Sequence, residues 1–174
     1  MEARAKLLGH PIHQMLIVLP LGSLTGVVIF DVLHLIGLGD DMTVVSYWLL
    51  PAGIVTGLVA ALFGLIDYTK VPRGTRAKRV GAMHGIGNVI VVTLFAASWL
   101  LRGDADASPS LLAYVLSFAA GGLAMITGWL GGELVDRLSV GVEDGAHLDA
   151  PSSLHGPPPS VRTAWPSRST PPAP

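Results

Sequence analysis

Residues 9–37 read GHPIHQMLIVLPLGSLTGVVIFDVLHLIG, a long apolar run with two histidines, His10 and His13, at its start and an aspartate and a histidine, Asp31 and His34, near its end. A hydrocarbon core about 30 Å thick takes roughly 20 mostly apolar residues per helical crossing, so the run is read as a membrane span. The alternative of a cleaved signal peptide fails. The run is too long, Asp31 interrupts it, and no small-residue cleavage site follows.

Working outward, the rest of the chain repeats the pattern. Of its 174 residues 51% are hydrophobic and 13% charged, against an ordinary charged fraction of about 25%. Four apolar runs lie at about 12–37, 44–67, 83–101 and 111–132. Short connections between them predict one all-α, four-helix membrane bundle over residues 1–142. The remainder, 143–174, carries eight of the thirteen prolines and reads as a disordered tail.

The net charge of −1 hides an asymmetry. Ten of the eleven basic residues fall before the first span, between the second and third, or after the fourth. Arg102 stands alone on the opposite side, among Asp40, Asp41, Asp104 and Asp106. The positive-inside rule then predicts both termini and the loop KVPRGTRAKR in the cytoplasm, as in a multi-pass protein of the cell's inner, cytoplasmic membrane. The same loop is suited to anionic lipid head groups.

No cysteine is present, which excludes disulfides, cysteine-ligated iron–sulfur clusters and thiolate catalysis. No nucleophile stands beside a histidine and an orienting acid, and no glycine-rich phosphate loop or aromatic-laced basic patch speaks for nucleotide or nucleic acid. Each span holds a glycine pair at i, i+4 (Gly22/Gly26, Gly53/Gly57, Gly81/Gly85, Gly128/Gly132), which predicts close helix packing.

Ionisable groups in or beside spans are functional candidates by default. His10, His13, Asp67, His84, Glu133 and Asp136 all fall at the basic boundary, with Asn88 one turn inside His84 on the same face. Laying HPIHQMLIV from His10 over HGIGNVIVV from His84 suggests two parallel two-helix repeats, which would bring His10 and His84 toward one axis from opposite sides. His10, His13 and His84, with Asp67 and Asn88 in support, are thus expected to converge in one site: two imidazoles from opposite sides fit bis-histidine ligation of haem b, and the three histidines with Asp67 fit a transition metal. As a bland alternative, His10 before Pro11 serves as an interfacial helix start. At the other boundary, Asp31 needs a partner, and His34, Thr43 or Ser46 is expected to supply it.

The opening HPIHQMLIVLPLG, Asp31 late in the first helix, GLIDY closing the second, the basic loop, HGIGN opening the third and GGELVDRLSVGV after the fourth resemble the domain of unknown function 2231 family, small bacterial four-helix membrane proteins, over about residues 7–142. Many members read HPxHP where this chain has Gln14. The resemblance implies architecture above all, with His10, His13, Asp31, Asp67, His84 and Asn88 on the family pattern. Some members are joined to Rieske-type domains, which implies redox traffic nearby. Three functions follow as expectations: a redox protein binding haem b or a transition metal, with a redox partner or as a homo-oligomer; a metal-ion or proton permease; or a structural accessory subunit.

Overall fold

The computed structural model describes residues 1–155. Residues 156–174, most of the proline-rich tail, lie outside the described residues. The chain forms a short hairpin, β1 (Lys6–Leu7) and β2 (His10–Pro11), then α1 (Ile12–Leu16), α2 (Val18–Leu35), α3 (Asp41–Lys70), α4 (Arg76–Arg102) and α5 (Leu111–Gly132), which runs on into a π-helical turn, Glu133–Arg137. Four spans result, Ile12–Leu35, Asp41–Lys70, Arg76–Arg102 and Leu111–Arg137, each long and apolar enough to cross a bilayer.

Local chemistry explains the breaks. Pro20 lacks an N–H and its ring meets the carbonyl four residues back, at Leu16, where α1 ends. Thr75 caps α4 by accepting from the Lys78 N–H at 3.1 Å, and Ser110 caps α5 from the Ala113 N–H at 3.2 Å. The third helix therefore begins seven residues before the apolar run expected from 83, and Arg76, Lys78 and Arg79 belong to it. Hydropathy marks where lipid begins; the cap marks where the helix does.

The strands pair Lys6 with Pro11 and Leu7 with His10. Both loop residues between them, Leu8 and Gly9, have positive φ, 51° and 86°, as a type I′ turn requires.

The spans pack as two antiparallel hairpins, first with second and third with fourth. Leu24, Val27, Leu50, Val91, Phe95 and Ala120 form the buried centre. The outer surface is apolar, and Trp48 and Trp129, 62% and 65% exposed, sit toward opposite ends of the bundle where aromatic belts form. The N-terminal segment, the α3–α4 loop and the residues after Arg137 share one end. All described Lys and Arg residues except Arg102 lie there. That end is the basic face of the bundle.

Candidate functional sites at the two ends of the bundle

At the basic face, the first and third spans each present one imidazole to the next helix. His13 donates from Nδ1 to the Ala60 carbonyl at 2.8 Å, and His84 donates from Nδ1 to the Thr127 carbonyl at 2.8 Å. Only an N–H can serve a carbonyl, so both rings carry a proton on Nδ1 and turn Nε2 away from the carbonyl. Each ring lies over a glycine four residues beyond its acceptor. A methyl group built on Gly64 would stand 2.9 Å from His13 Cε1, and one on Gly131 3.2 Å from His84 Cε1.

His84 carries a further shell. Asn88 Nδ2 donates to its Nε2 at 3.1 Å, and the Thr127 hydroxyl donates to Asn88 Oδ1 at 3.0 Å. Asn88 thus supports His84, as its i+4 position predicted. Thr127 went unnoticed in the sequence, although a hydroxyl one turn from the end of an apolar run is a usable signal.

The other expected members of this cluster stand elsewhere. His10 lies on the exposed hairpin, its Nε2 3.2 Å from Ser153 Oγ, in a surface cavity of about 280 Å³ shared with Gln14, Glu143 and His147. Asp67 Oδ1 accepts the main-chain N–H groups of Arg4 and Ala5 at 2.7 and 3.0 Å, so it ties down the N-terminal segment. Glu133 pairs with Arg76 at 2.6 Å. Asp136, on the π-helical turn, makes no side-chain hydrogen bond or ion pair among the described residues. Among the described residues no three His, Asp or Glu side chains are grouped as a metal cage.

At the opposite end, Asp31 is fully buried and its partner is Arg102, which the sequence had suggested was a loop charge. The guanidinium binds the carboxylate through both nitrogens, Nη1 to Oδ1 at 2.9 Å and Nη2 to Oδ2 at 2.6 Å. Nη1 also donates to Ser46 Oγ at 2.8 Å and Nη2 to Ser117 Oγ at 3.0 Å. Ser98 lies 2.8 Å from Ser117 and donates to the Ala113 carbonyl at 2.7 Å.

The expected pairing of Asp31 with His34 is therefore corrected. His34 turns to the Gly39 carbonyl at 3.3 Å and to Asp40 at 3.7 Å, and its ring stacks on Tyr114. Thr43 bonds the Asp40 carbonyl instead. A fork-shaped cation outcompetes a hydroxyl or an imidazole for a buried carboxylate because it repays desolvation with two charge-assisted bonds. One lone arginine on an otherwise acidic face and one deep aspartate formed the signal.

The repeat takes a register different from the one laid through His10. Arg102 follows Asp31 by 71 residues, and His84 follows His13, and Ser117 follows Ser46, by the same interval. The buried positions Leu24, Val27 and Asp31 of α2 correspond to Phe95, Ser98 and Arg102 of α4, and Thr43 and Ser46 of α3 to Tyr114 and Ser117 of α5. Toward the basic face the second-helix interval shortens by four residues, about one turn, since Thr127 answers Ala60. The offset drawn from His10 was three residues too long because HPxH offers two histidines, and the exposed one is the better sequence match.

Four apolar spans around a buried ion pair and a lipid-facing apolar surface define a polytopic membrane protein. The family of predicted membrane proteins (DUF2231) matches residues 9–144, and the chain belongs to it. No curated protein and no solved structure matches the chain.

Proposed function

We propose that the protein is a redox protein of a bacterial inner membrane, with its basic face in the cytoplasm, that takes haem b or a transition metal on His13 and His84. The observation that carries this reading is the matched setting of the two rings: both Nδ1 atoms are held by carbonyls, so that each ring would meet a metal through Nε2, that of His13 directly and that of His84 once Asn88 lets it go. A carbonyl accepting from Nδ1 is the usual way a ligating histidine is oriented. The donor set, two imidazoles without a carboxylate, would suit haem iron better than a carboxylate-rich ion cage, because Asp67 and His10 are committed elsewhere.

Such a centre supplies one-electron transfer when bound. The chain's own residues hold and aim it: Gly64 and Gly131 let the rings lie flat against the neighbouring helix, Ala60 and Thr127 fix them, and Asn88 must release His84 Nε2. Lys70, Arg73 and Arg79, which make no ion pair among the described residues, suit anionic lipid or an acidic redox partner at the same face.

The hydrogen bond from Asn88 favours a second reading, an accessory subunit whose imidazoles tie helices together. A permease has less support, since the apolar centre of Leu24, Leu50, Val91 and Phe95 interrupts the polar groups at the two ends. Protein purified from cells supplied with iron and haem precursor decides between the first two. Reduced-minus-oxidised absorbance and elemental analysis should find a haem band or bound metal that His13→Ala and His84→Ala each abolish. A colourless, metal-free protein overturns the redox reading and leaves the tie.

A further inference from the structure

Asp31 and Arg102 occupy the same place in their respective hairpins, yet they carry opposite charges. The positions around them repeat as well. Ser46 flanks the pair from α3 and Ser117 from α5, and each accepts from one guanidinium nitrogen. The first and third spans lie diagonally across the bundle, and this bond joins them at the end away from the basic face. Both side chains are out of solvent, 1% and 0% exposed, so no third party screens the pair.

We propose that Asp31–Arg102 is a reversible-polarity clasp: the surface through which one hairpin recognises its structural equivalent, able to hold the bundle with the charges in either order. Two equivalent helical hairpins could dock in a self-matched way, hairpin on copy of itself, since their packing stripes correspond. Opposite charges at the equivalent position forbid that. A first hairpin set against another first hairpin buries two carboxylates, and two second hairpins bury two guanidiniums. Only unlike hairpins neutralise each other, so the partner each accepts is the other half of this chain. The swapped arrangement is equally neutral, finds the same two serines, and leaves the charge balance across the membrane unchanged. One asymmetry remains, because Ser98, which supports Ser117, corresponds to Val27.

The test uses the full-length chain in detergent. Breaking a buried pair by charge reversal is strongly destabilising, so D31R and R102D should each lower the melting temperature by about 10 °C or more or leave only aggregated protein. The double variant D31R/R102D should recover at least half of that loss as monodisperse protein, with the shortfall reduced by adding V27S. A double variant no better than the single variants overturns the proposal, whether it misfolds or fails to insert. So does a set in which all three variants melt with the parent, since the pair would then clasp nothing. The readout is folding and is independent of any bound metal, so the redox reading and this one fail separately.

Discussion

Gly64 leaves no room for a methyl group, because the His13 ring sits against it and cannot swing aside without losing the Ala60 carbonyl. Gly64→Ala therefore combines overpacking with a lost hydrogen bond, together about 2–4 kcal/mol, and should lower the melting temperature by roughly 5–10 °C. Gly128 faces open space, so Gly128→Ala should melt with the parent or slightly above it, as expected where glycine only costs helix entropy. Differential scanning fluorimetry of the two variants separates a packed glycine from an idle one. The sequence did not make that distinction. It offered four i, i+4 pairs, of which Gly26, Gly53 and Gly81 take close approaches of 2.8, 2.5 and 3.1 Å while Gly22, Gly85 and Gly128 meet nothing, and the unpaired Gly64, Gly87, Gly121 and Gly131 are as close. A spacing shows that two residues share a helix face and is silent on which face a neighbour covers. Polar residues were more legible than glycines, since depth alone marked Asp31, His13 and His84 as residues in need of partners. The identity of those partners depended on the diagonal of the bundle, which no local pattern encodes.

The N-terminal hairpin is an element the sequence did not announce, having neither an alternating pattern nor an Asn-Gly turn. It is held by Asp67 and by Lys6, which binds Glu2 and Glu143 at 3.0 Å each. Asp67→Ala should free residues 1–9 and raise their cleavage by a nonspecific protease several-fold, with the spans unaffected. The lysine also makes the element sensitive to pH. Hydrogen bonding and charge from Lys6 hold the Glu2 carboxyl below its ordinary value. On Lys6 itself burial pulls downward, but the bonds to Glu143 and Glu2 outweigh it and the net shift is upward. A depressed carboxylate stabilises above its unfolded pKa and loses that contribution as pH falls through its folded value; a raised ammonium loses its contribution as pH rises through its own. The hairpin should stay docked from mildly acidic to alkaline pH. It should loosen below the glutamate range, visible as faster amide exchange in residues 2–7, with Lys6→Met showing the loosened behaviour at every pH.

Across the whole molecule the burial of Arg102 sharpens the orientation argument, for it leaves no exposed basic residue on the far face among the described residues. The chain has no cysteine, so single cysteines introduced at Asp40, Gly74, Asp106 and Ser153 report cleanly. A membrane-impermeant maleimide on intact cells should label the first and third and spare the other two; labelling at Gly74 would reverse the topology. Architecture at this scale was the most legible part of the sequence, because apolar length and charge asymmetry are summed over many residues and survive local error. The clasp at the far end also has a timing consequence for synthesis. Asp31 reaches the membrane 71 residues ahead of Arg102, which at about 5–20 residues per second is roughly 4–14 s. Through that interval the nascent first hairpin holds a carboxylate without its guanidinium partner, and it becomes lipid-compatible only when the arginine arrives. A ribosome paused between the second and third spans therefore leaves an unfinished half exposed to quality-control proteases, and synonymous codon changes that slow that stretch should lower yield without altering a single side chain.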